Sequence, residues 1–238
     1  MKTVGVTVGK FMPLHKGHEL MIEFGSRMLD EFHVFVSGTA ETKFSSEEPF
    51  TIEQRCRWVK DFIIKHELDN VTVHYHVDKS PIPVNIDENG TVLDKDFQFY
   101  WANEFVKIPG LTHIVSSDMY GKVLADLMHL SWLPVDPKRE MVNISATKIR
   151  SDYIKYFDYI SDSAKPDLVK TVAIVGPESV GKSTLVKDLK DIVGCSIVTE
   201  YGRTLSEAKD NNLTNRDFRY IADGQFHLIQ MAKERAKI

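Results

Sequence analysis

The stretch that decides the fold is GKFMPLHKGH, residues 9–18, which directly follows the segment TVGVTV. Alternation of Val4, Val6 and Val8 predicts a short buried strand over residues 3–8, and a helix is expected from about Gly17. The glycines and histidines between these two segments therefore occupy a strand-to-helix turn. Backbone N–H groups at a helix entrance point towards an anion, so this turn predicts a phosphate site.

The segments that follow alternate between strand and helix patterns. Strand patterns cover residues 32–38, 71–77, 112–117 and 133–135, and helical patterns cover residues 51–66, 97–106 and 120–129. Thr51 and Gln54 have the spacing of a capping box at the start of the first of these helices. A further helix is expected to open in ISATKIR, residues 144–150, and to run towards Ile160. Strands alternating with helices predict an α/β fold with a doubly wound parallel sheet.

The net charge and the cysteine count of the chain bear on its partners and on its compartment. The 238 residues are 42% hydrophobic, and 30 Lys and Arg against 34 Asp and Glu give a net charge of -4. This balance gives no electrostatic reason to expect nucleic acid or a membrane surface as a partner. The only cysteines, Cys56 and Cys195, are too far apart to form a disulfide framework, and Lys10 interrupts any apolar leader, so a cytoplasmic protein is expected.

A polar segment, SDSAKPD at residues 161–167, predicts a linker between two domains. We therefore predict a first domain over residues 1–160, a linker over 161–168 and a second domain over 169–238. In the second domain GPESVGKST, residues 176–184, matches GxxxxGK[ST] between the apolar segment TVAIV and an amphipathic helix. The residues predicted to bind ATP phosphates there are Gly176, Ser179, Gly181, Lys182, Ser183 and Thr184.

Roles within this phosphate loop follow from the motif. Lys182 is expected to reach the β- and γ-phosphates, and the Ser183 hydroxyl to bind the Mg²⁺ that accompanies ATP. Glu200 closes the next predicted strand, SIVTE, where its carboxylate is a candidate general base with Arg203 nearby. A solvated salt-bridged pair is the alternative for these two residues.

The second domain lacks a segment that a P-loop fold needs. Residues 215–238 have only a helical pattern, whereas a further strand ending in Asp is expected to help hold Mg²⁺. We interpret residues 169–238 as the N-terminal part of a P-loop α/β domain, either cut short or a remnant that binds without catalysing.

The histidine pair His15 and His18 suits a phosphate-transfer site. Imidazoles donate hydrogen bonds to phosphate oxygens and would stabilise charge on an attacked α-phosphorus and on leaving pyrophosphate. Ser145, Thr147 and Arg150 supply hydroxyls and a cation at a second helix start. A pair of capping or core histidines is the alternative, and a metal site lacks a third ligand nearby in sequence.

Together with GKFMPLHKGH and GPESVGKST, three further segments resemble the NadR family of the HxGH nucleotidyltransferase superfamily: SSDMYG, VDPKREMVNISATKIR and EYGR. That family combines a nicotinamide mononucleotide adenylyltransferase with a P-loop ribosylnicotinamide kinase. The resemblance implies transfer of AMP from ATP to the mononucleotide, giving NAD and pyrophosphate without a covalent enzyme intermediate. It also implies that the second domain phosphorylates nicotinamide riboside.

The resemblance implies roles for individual residues. His15 and His18 would contact the ATP phosphates, with His18 the principal transition-state stabiliser. The other residues implied to bind ATP are Gly9, Lys10, Asp118, Ser145, Thr147 and Arg150, with Asp118 on the adenosine part. Arg55, Trp58 and Trp101 are candidates to contact the pyridine nucleotide, and their alternative role is packing within amphipathic helices.

Two alternatives to this function stay open. Phosphopantetheine and CTP-dependent transferases also use HxGH with a distal Ser/Arg helix, although without an attached P-loop. A nucleotide-sensing module with a non-catalytic P-loop half is the second alternative. The chain starts at the transferase strand without the DNA-binding helix-turn-helix of some family members, so no operator binding is expected; a homo-oligomer is left open.

Overall fold

The computed structural model describes residues 2–38, 49–81 and 95–236. The chain divides into two compact units, Met1–Ala164 and Lys165–Ile238. The point of division lies inside the predicted linker, residues 161–168. The end of that linker forms a short helix, α6 (Lys165–Leu168).

The first unit is built around one parallel sheet of five strands. The strands are β1 (Val4–Gly9), β2 (Glu31–Gly38), β3 (Val71–Val77), β4 (His113–Ser116) and β5 (Ser131–Pro134). The helices are α1 (Lys16–Met28), α2 (Ile52–Lys65), α3 (Lys95–Phe105), α4 (Met119–Met128) and α5 (Ala146–Ser151). The strand order is β3-β2-β1-β4-β5, so the predicted α/β doubly wound parallel sheet is confirmed.

The central strands carry the core of this unit. Val6 of β1 and Phe32, Val34 and Val36 of β2 are fully buried. Such continuous apolar burial is typical of strands covered on both faces by helices. The strand order changes direction between β1 and β4, and in open parallel sheets ligands bind at the carboxyl ends of the strands beside such a point.

Helix ends follow the side chains that cap them. Thr51 Oγ1 accepts a hydrogen bond from the Gln54 N–H at 3.2 Å, which fixes the start of α2 where the capping spacing predicts it. The predicted continuous helix from ISATKIR to Ile160 is wrong, because α5 ends at Ser151. Asp152 leaves the helical conformation, and its Oδ1 accepts from the Lys155 N–H at 3.0 Å, a local bond that competes with the helix.

The second unit contains helices and the phosphate loop. After α6 come α7 (Lys182–Val193), α8 (Tyr201–Ala208) and α9 (Asn215–Arg235), with α9 packed against α6 and α8. The strands predicted at TVAIV and SIVTE are wrong for residues 165–236, which contain no strand. Val172 and Val175 are 82% and 86% exposed, and a parallel strand forms only with paired neighbours and covered faces. Within the described ranges, no helix is both long and apolar enough to cross a membrane.

Candidate active site

A cavity of about 290 Å³ lies beside the point where the strand order changes direction. The ends of β1 and β4 and the starts of α1 and α5 form its walls. The predicted site residues that line it are Gly9, His15, His18, Asp118, Ser145 and Thr147. The fold therefore brings both histidines and the second helix start into one space, whereas Lys10 and Arg150 are not among the lining residues.

His15 is the N-cap of α1 and is 5% exposed. Its Nδ1 accepts a hydrogen bond from the Gly17 N–H at 3.1 Å. Because Nδ1 accepts, the neutral ring carries its proton on Nε2. The cap thus fixes both the ring orientation and the nitrogen that can donate to a ligand.

His18 stacks on His15, with ring centroids 3.7 Å apart and planes 22° from parallel. Phe11 packs on His18 at a centroid distance of 4.8 Å. Among the described residues, the buried Nδ1 of His18 has no hydrogen-bond partner. A buried nitrogen of this kind in a cavity wall gains its partner from water or from a ligand.

Both histidines are neutral at neutral pH. Burial lowers the pKa of His15 to about 4, and the charge of Arg139 contributes to the shift. Burial also lowers the pKa of His18 well below its usual range, with further contributions from His15 and Arg139. A bound anion would raise both pKa values, because negative charge nearby favours the protonated ring, in which both nitrogens are donors.

We expect the first unit to lose stability as the pH falls from about 6.5 towards 4. The pKa of His15 is lowered in the folded state, so its contribution is present above the unfolded value of 6.5 and lost on acidification. The lowered pKa corresponds to about 3 kcal/mol. Urea unfolding followed by tryptophan fluorescence measures this unit, which holds Trp58, Trp101 and Trp132.

The matched variant is His15→Asn, because asparagine keeps a capping oxygen but does not titrate. The variant should lose less stability than the original chain between pH 7.5 and 4. Equal losses in the two proteins would show that His15 does not titrate as its burial requires.

The start of α5 is tied to the histidine loop. Ser145 is the N-cap, and its hydroxyl accepts from the Lys148 N–H at 3.2 Å. Arg150 donates through Nη1 to the Met12 carbonyl at 2.6 Å and through Nη2 to Thr147 Oγ1 at 3.3 Å. Arg150 therefore joins α5 to residues 9–18, and its contact with ATP stays a prediction.

The start of α4 forms another part of the cavity wall. Asp118 caps α4 by accepting from the Gly121 N–H at 3.4 Å, and burial raises the pKa of its carboxyl. Tyr120 also lines the cavity, and its buried hydroxyl has no partner in the described parts of the chain. Sequence reasoning missed Tyr120, although it lies inside SSDMYG.

The candidates for pyridine-nucleotide contact lie elsewhere. Arg55 is 1% exposed and donates to the carbonyls of Lys10 and Ser37, both at 2.7 Å. Trp58 and Trp101 are 0% and 2% exposed. None of the three is among the residues that line the cavity. Their burial favours the alternative, in which Arg55 ties backbone segments together and the two tryptophans pack the core.

The phosphate loop of the second unit has the backbone that its glycines predict. Gly181 is the N-cap of α7 at φ 86°, a left-handed conformation that favours glycine, and Ser179 is at φ 61°. Lys182 Nζ donates to the carbonyls of Gly176 at 2.8 Å and Pro177 at 2.6 Å. Ser183 and Thr184 lie in the first turn of α7. The Lys182 side chain therefore folds back onto the loop that leads into α7.

Glu200 and Arg203 stand at the start of α8. Glu200 is the N-cap residue, without a capping side-chain bond, and Arg203 lies in the first turn. Across the described residues, no hydrogen bond or ion pair joins Glu200 to Arg203 or to Lys182. The salt-bridged alternative is thus not formed, and the role of Glu200 as a base stays a prediction.

Metal ligands are not clustered in the chain as described. Within residues 2–38, 49–81 and 95–236, no group of three or more His, Cys, Asp or Glu side chains is placed to hold a metal ion.

Comparison with known proteins agrees with this geometry. The family model described as cytidylyltransferase-like matches residues 6–152, the part of the chain that contains the sheet and the cavity. The chain belongs to the cytidylyltransferase-like family. A second model, described as an AAA domain, matches residues 171–237, which follow the cytidylyltransferase-like part in the sequence.

Relatives of this cytidylyltransferase-like chain include the trifunctional NAD biosynthesis/regulator protein NadR of Salmonella typhimurium. The two are 34% identical over 85% of this chain and 49% of the relative. NadR of Escherichia coli is 33% identical over the same shares. The resemblance to NadR is thus confirmed, and the chain spans about half the length of these curated relatives.

Solved structures show the same fold. A NadR protein in complex with NR has a TM-score of 0.71 at 22% identity, covering 98% of this chain and 64% of the other. A NadR complex with NAD and AMP-PNP has a TM-score of 0.69 at 21% identity, covering 98% and 66%. A bifunctional NMN adenylyltransferase/ADP ribose pyrophosphatase from Francisella tularensis, with AMP and manganese, has a TM-score of 0.51 at 18% identity, covering 88% and 55%.

Proposed function

We propose that the first unit transfers the adenylyl group of ATP to nicotinamide mononucleotide, forming NAD and pyrophosphate. The observation that carries the proposal is the stacked pair His15 and His18 in one cavity with the helix start at Ser145 and Thr147. Imidazole N–H groups, hydroxyls and a helix entrance together suit a polyphosphate. The acceptor follows from the resemblance to NadR, whose printed name states a role in NAD biosynthesis.

The reaction needs no covalent enzyme intermediate. A phosphate oxygen of the mononucleotide attacks the α-phosphorus of ATP, the bond to the bridging oxygen breaks, and pyrophosphate leaves with the electron pair. Because the attacking phosphate is already an anion, no general base is required. Burial lowers the pKa of both rings, so His15 and His18 act as neutral N–H donors to the phosphate oxygens, and these hydrogen bonds strengthen as the leaving group becomes more negative.

For the second unit we propose phosphorylation of nicotinamide riboside, which would supply the acceptor of the first unit. Lys182 would leave the loop carbonyls for the β- and γ-phosphates, and Glu200 would accept the proton of the riboside hydroxyl. The Ser183 hydroxyl, in the first turn of α7, fits as a ligand of Mg²⁺. When bound, Mg²⁺ would neutralise charge on the ATP phosphates.

The proposal includes the boundaries and setting inferred from the sequence. The transferase would occupy residues 1–160 and the kinase part residues 169–238. Both activities would take place in the cytoplasm, which is supported by the two free cysteines, Cys56 and Cys195.

An acceptor screen with labelled ATP tests the transferase proposal. Pyrophosphate release and labelled NAD are expected with nicotinamide mononucleotide, but not with phosphopantetheine. CTP in place of ATP is expected to support no transfer. Turnover with phosphopantetheine or with CTP would show that the protein catalyses another transferase reaction. No turnover with any of these substrates, nicotinamide mononucleotide included, would favour the nucleotide-sensing module.

A further inference from the structure

The loop between β5 and α5 brings Arg139 to the cavity that His15 and His18 also line. In the described part of the chain, the guanidinium of Arg139 makes no hydrogen bond or ion pair. Its charge also contributes to the lowered pKa values of both histidines. An unpaired guanidinium in a cavity wall is suited to bind an anion through two N–H groups.

One carboxylate determines the shape of this loop. Asp136 accepts backbone hydrogen bonds from three successive residues: Glu140 at 2.7 Å, Met141 at 3.1 Å and Val142 at 2.9 Å. The Arg139 N–H donates to the Asp136 carbonyl at 2.9 Å. Arg139 therefore lies inside a turn that the Asp136 side chain closes.

The backbone of the loop is strained at Asp136 and at Arg139. Asp136 has φ 47° and Arg139 has φ 55°, both in the left-handed region that residues other than glycine rarely adopt. Each such conformation costs about 1 kcal/mol or more and persists only where surrounding bonds enforce it. The hydrogen bonds of Asp136 supply that enforcement.

We propose that Arg139 binds the polyphosphate of the nucleoside triphosphate and that Asp136 is the residue that positions it. This inference rests on the proposed adenylyl transfer and adds a cation to its phosphate site. The triphosphate is favoured over the phosphate of the acceptor because Arg139 lines the same cavity as both histidines, whose proposed partner is the triphosphate.

Calorimetric binding of inorganic tripolyphosphate and of ATP tests the role of Arg139. All variants carry Lys182→Ala, so that the phosphate loop of the second unit contributes little. Arg139→Met should weaken the binding of both probes by about 10- to 100-fold, the loss of one hydrogen-bonded charge. Lys138→Met is the matched control: its cation is adjacent and exposed but does not line the cavity, so affinity should stay within about 2-fold.

A double-mutant cycle tests the positioning role of Asp136. Asp136→Ala should weaken tripolyphosphate binding about as much as Arg139→Met, and the double variant should lose little more. Asp136→Asn keeps one accepting oxygen and should recover part of the affinity. Circular dichroism of each variant identifies any that fails to fold, and the Asn variant then carries the comparison.

Each outcome bears on the inference. Unchanged tripolyphosphate affinity in Arg139→Met overturns the role of Arg139. Additive losses in the double variant overturn the role of Asp136. If the Lys182→Ala chain binds ATP, and Arg139→Met weakens that binding, but the chain makes no NAD, the proposed function is contradicted and the role of Arg139 is not. A Lys182→Ala chain that binds neither probe contradicts both.

Discussion

Replacement of His18 with alanine is expected to slow adenylyl transfer by about 10²- to 10³-fold, the usual effect of removing one preorganised donor from a transition state. The stacking of His18 on His15 in the cavity, together with its unpaired Nδ1, leaves the ring available to a ligand. In the proposed reaction its N–H would donate to the charge that grows as pyrophosphate leaves. The loss should therefore fall mainly on kcat, with a smaller change in the KM for ATP.

Steady-state rates of NAD formation measure this effect. His66→Ala is a suitable control, because His66 follows α2 and is not among the residues that line the cavity. His18→Asn retains a donor of smaller reach and should fall between the original chain and His18→Ala. Near-normal turnover of His18→Ala, with an intact circular dichroism spectrum, would remove His18 from the active site.

The sequence allowed the first half of the site to be predicted because its determinants are local. Alternation of Val4, Val6 and Val8 predicts β1, and residues 9–18 form the turn that follows it. Ser145 caps α5 through a bond to Lys148 three residues later, which the sequence also contains. These local features predict each helix start separately, and the expectation that His15 and Ser145 share one site came from the resemblance to NadR; the cavity contains both residues.

Features that depend on tertiary contacts were not predictable in the same way. The amphipathic pattern of α2 places Arg55 and Trp58 on a buried face, but only the folded chain shows that Arg55 reaches the carbonyls of Lys10 and Ser37. The loop that carries Arg139 depends on a side chain accepting from three backbone N–H groups and on two left-handed residues. No periodicity marks such a loop.

The second unit shows that β-branched composition alone does not predict a strand. TVAIV has the β-branched composition of a strand, yet Val172 and Val175 are largely exposed. They also have no neighbouring strand to pair with, because residues 165–236 contain no strand. Strand formation depends on hydrogen bonds to neighbouring strands, so a local pattern cannot establish it alone. Helix capping does not have this requirement, and α9 begins with a complete capping box at Thr214 and Asp217.

Replacement of Lys182 with alanine is expected to abolish phosphorylation of nicotinamide riboside while leaving NAD synthesis from nicotinamide mononucleotide within about 2-fold. Lys182 Nζ already lies against the loop, at 2.8 Å from the Gly176 carbonyl, and we propose it as the cation that contacts the β- and γ-phosphates. Loss of a charge that stabilises phosphoryl transfer costs orders of magnitude in rate. The cavity that contains His15 and His18 belongs to the other unit and does not include Lys182.

Two assays on the same preparation measure this separation: riboside phosphorylation with labelled ATP, and NAD formation from the mononucleotide. Lys187→Ala is the matched control, because Lys187 is an exposed cation on the same helix α7, beyond its first turn. Loss of both activities in Lys182→Ala would contradict independent active sites. An original chain that phosphorylates no riboside would contradict the kinase half of the proposal, whereas retained phosphorylation in Lys182→Ala would exclude the phosphate loop as its site.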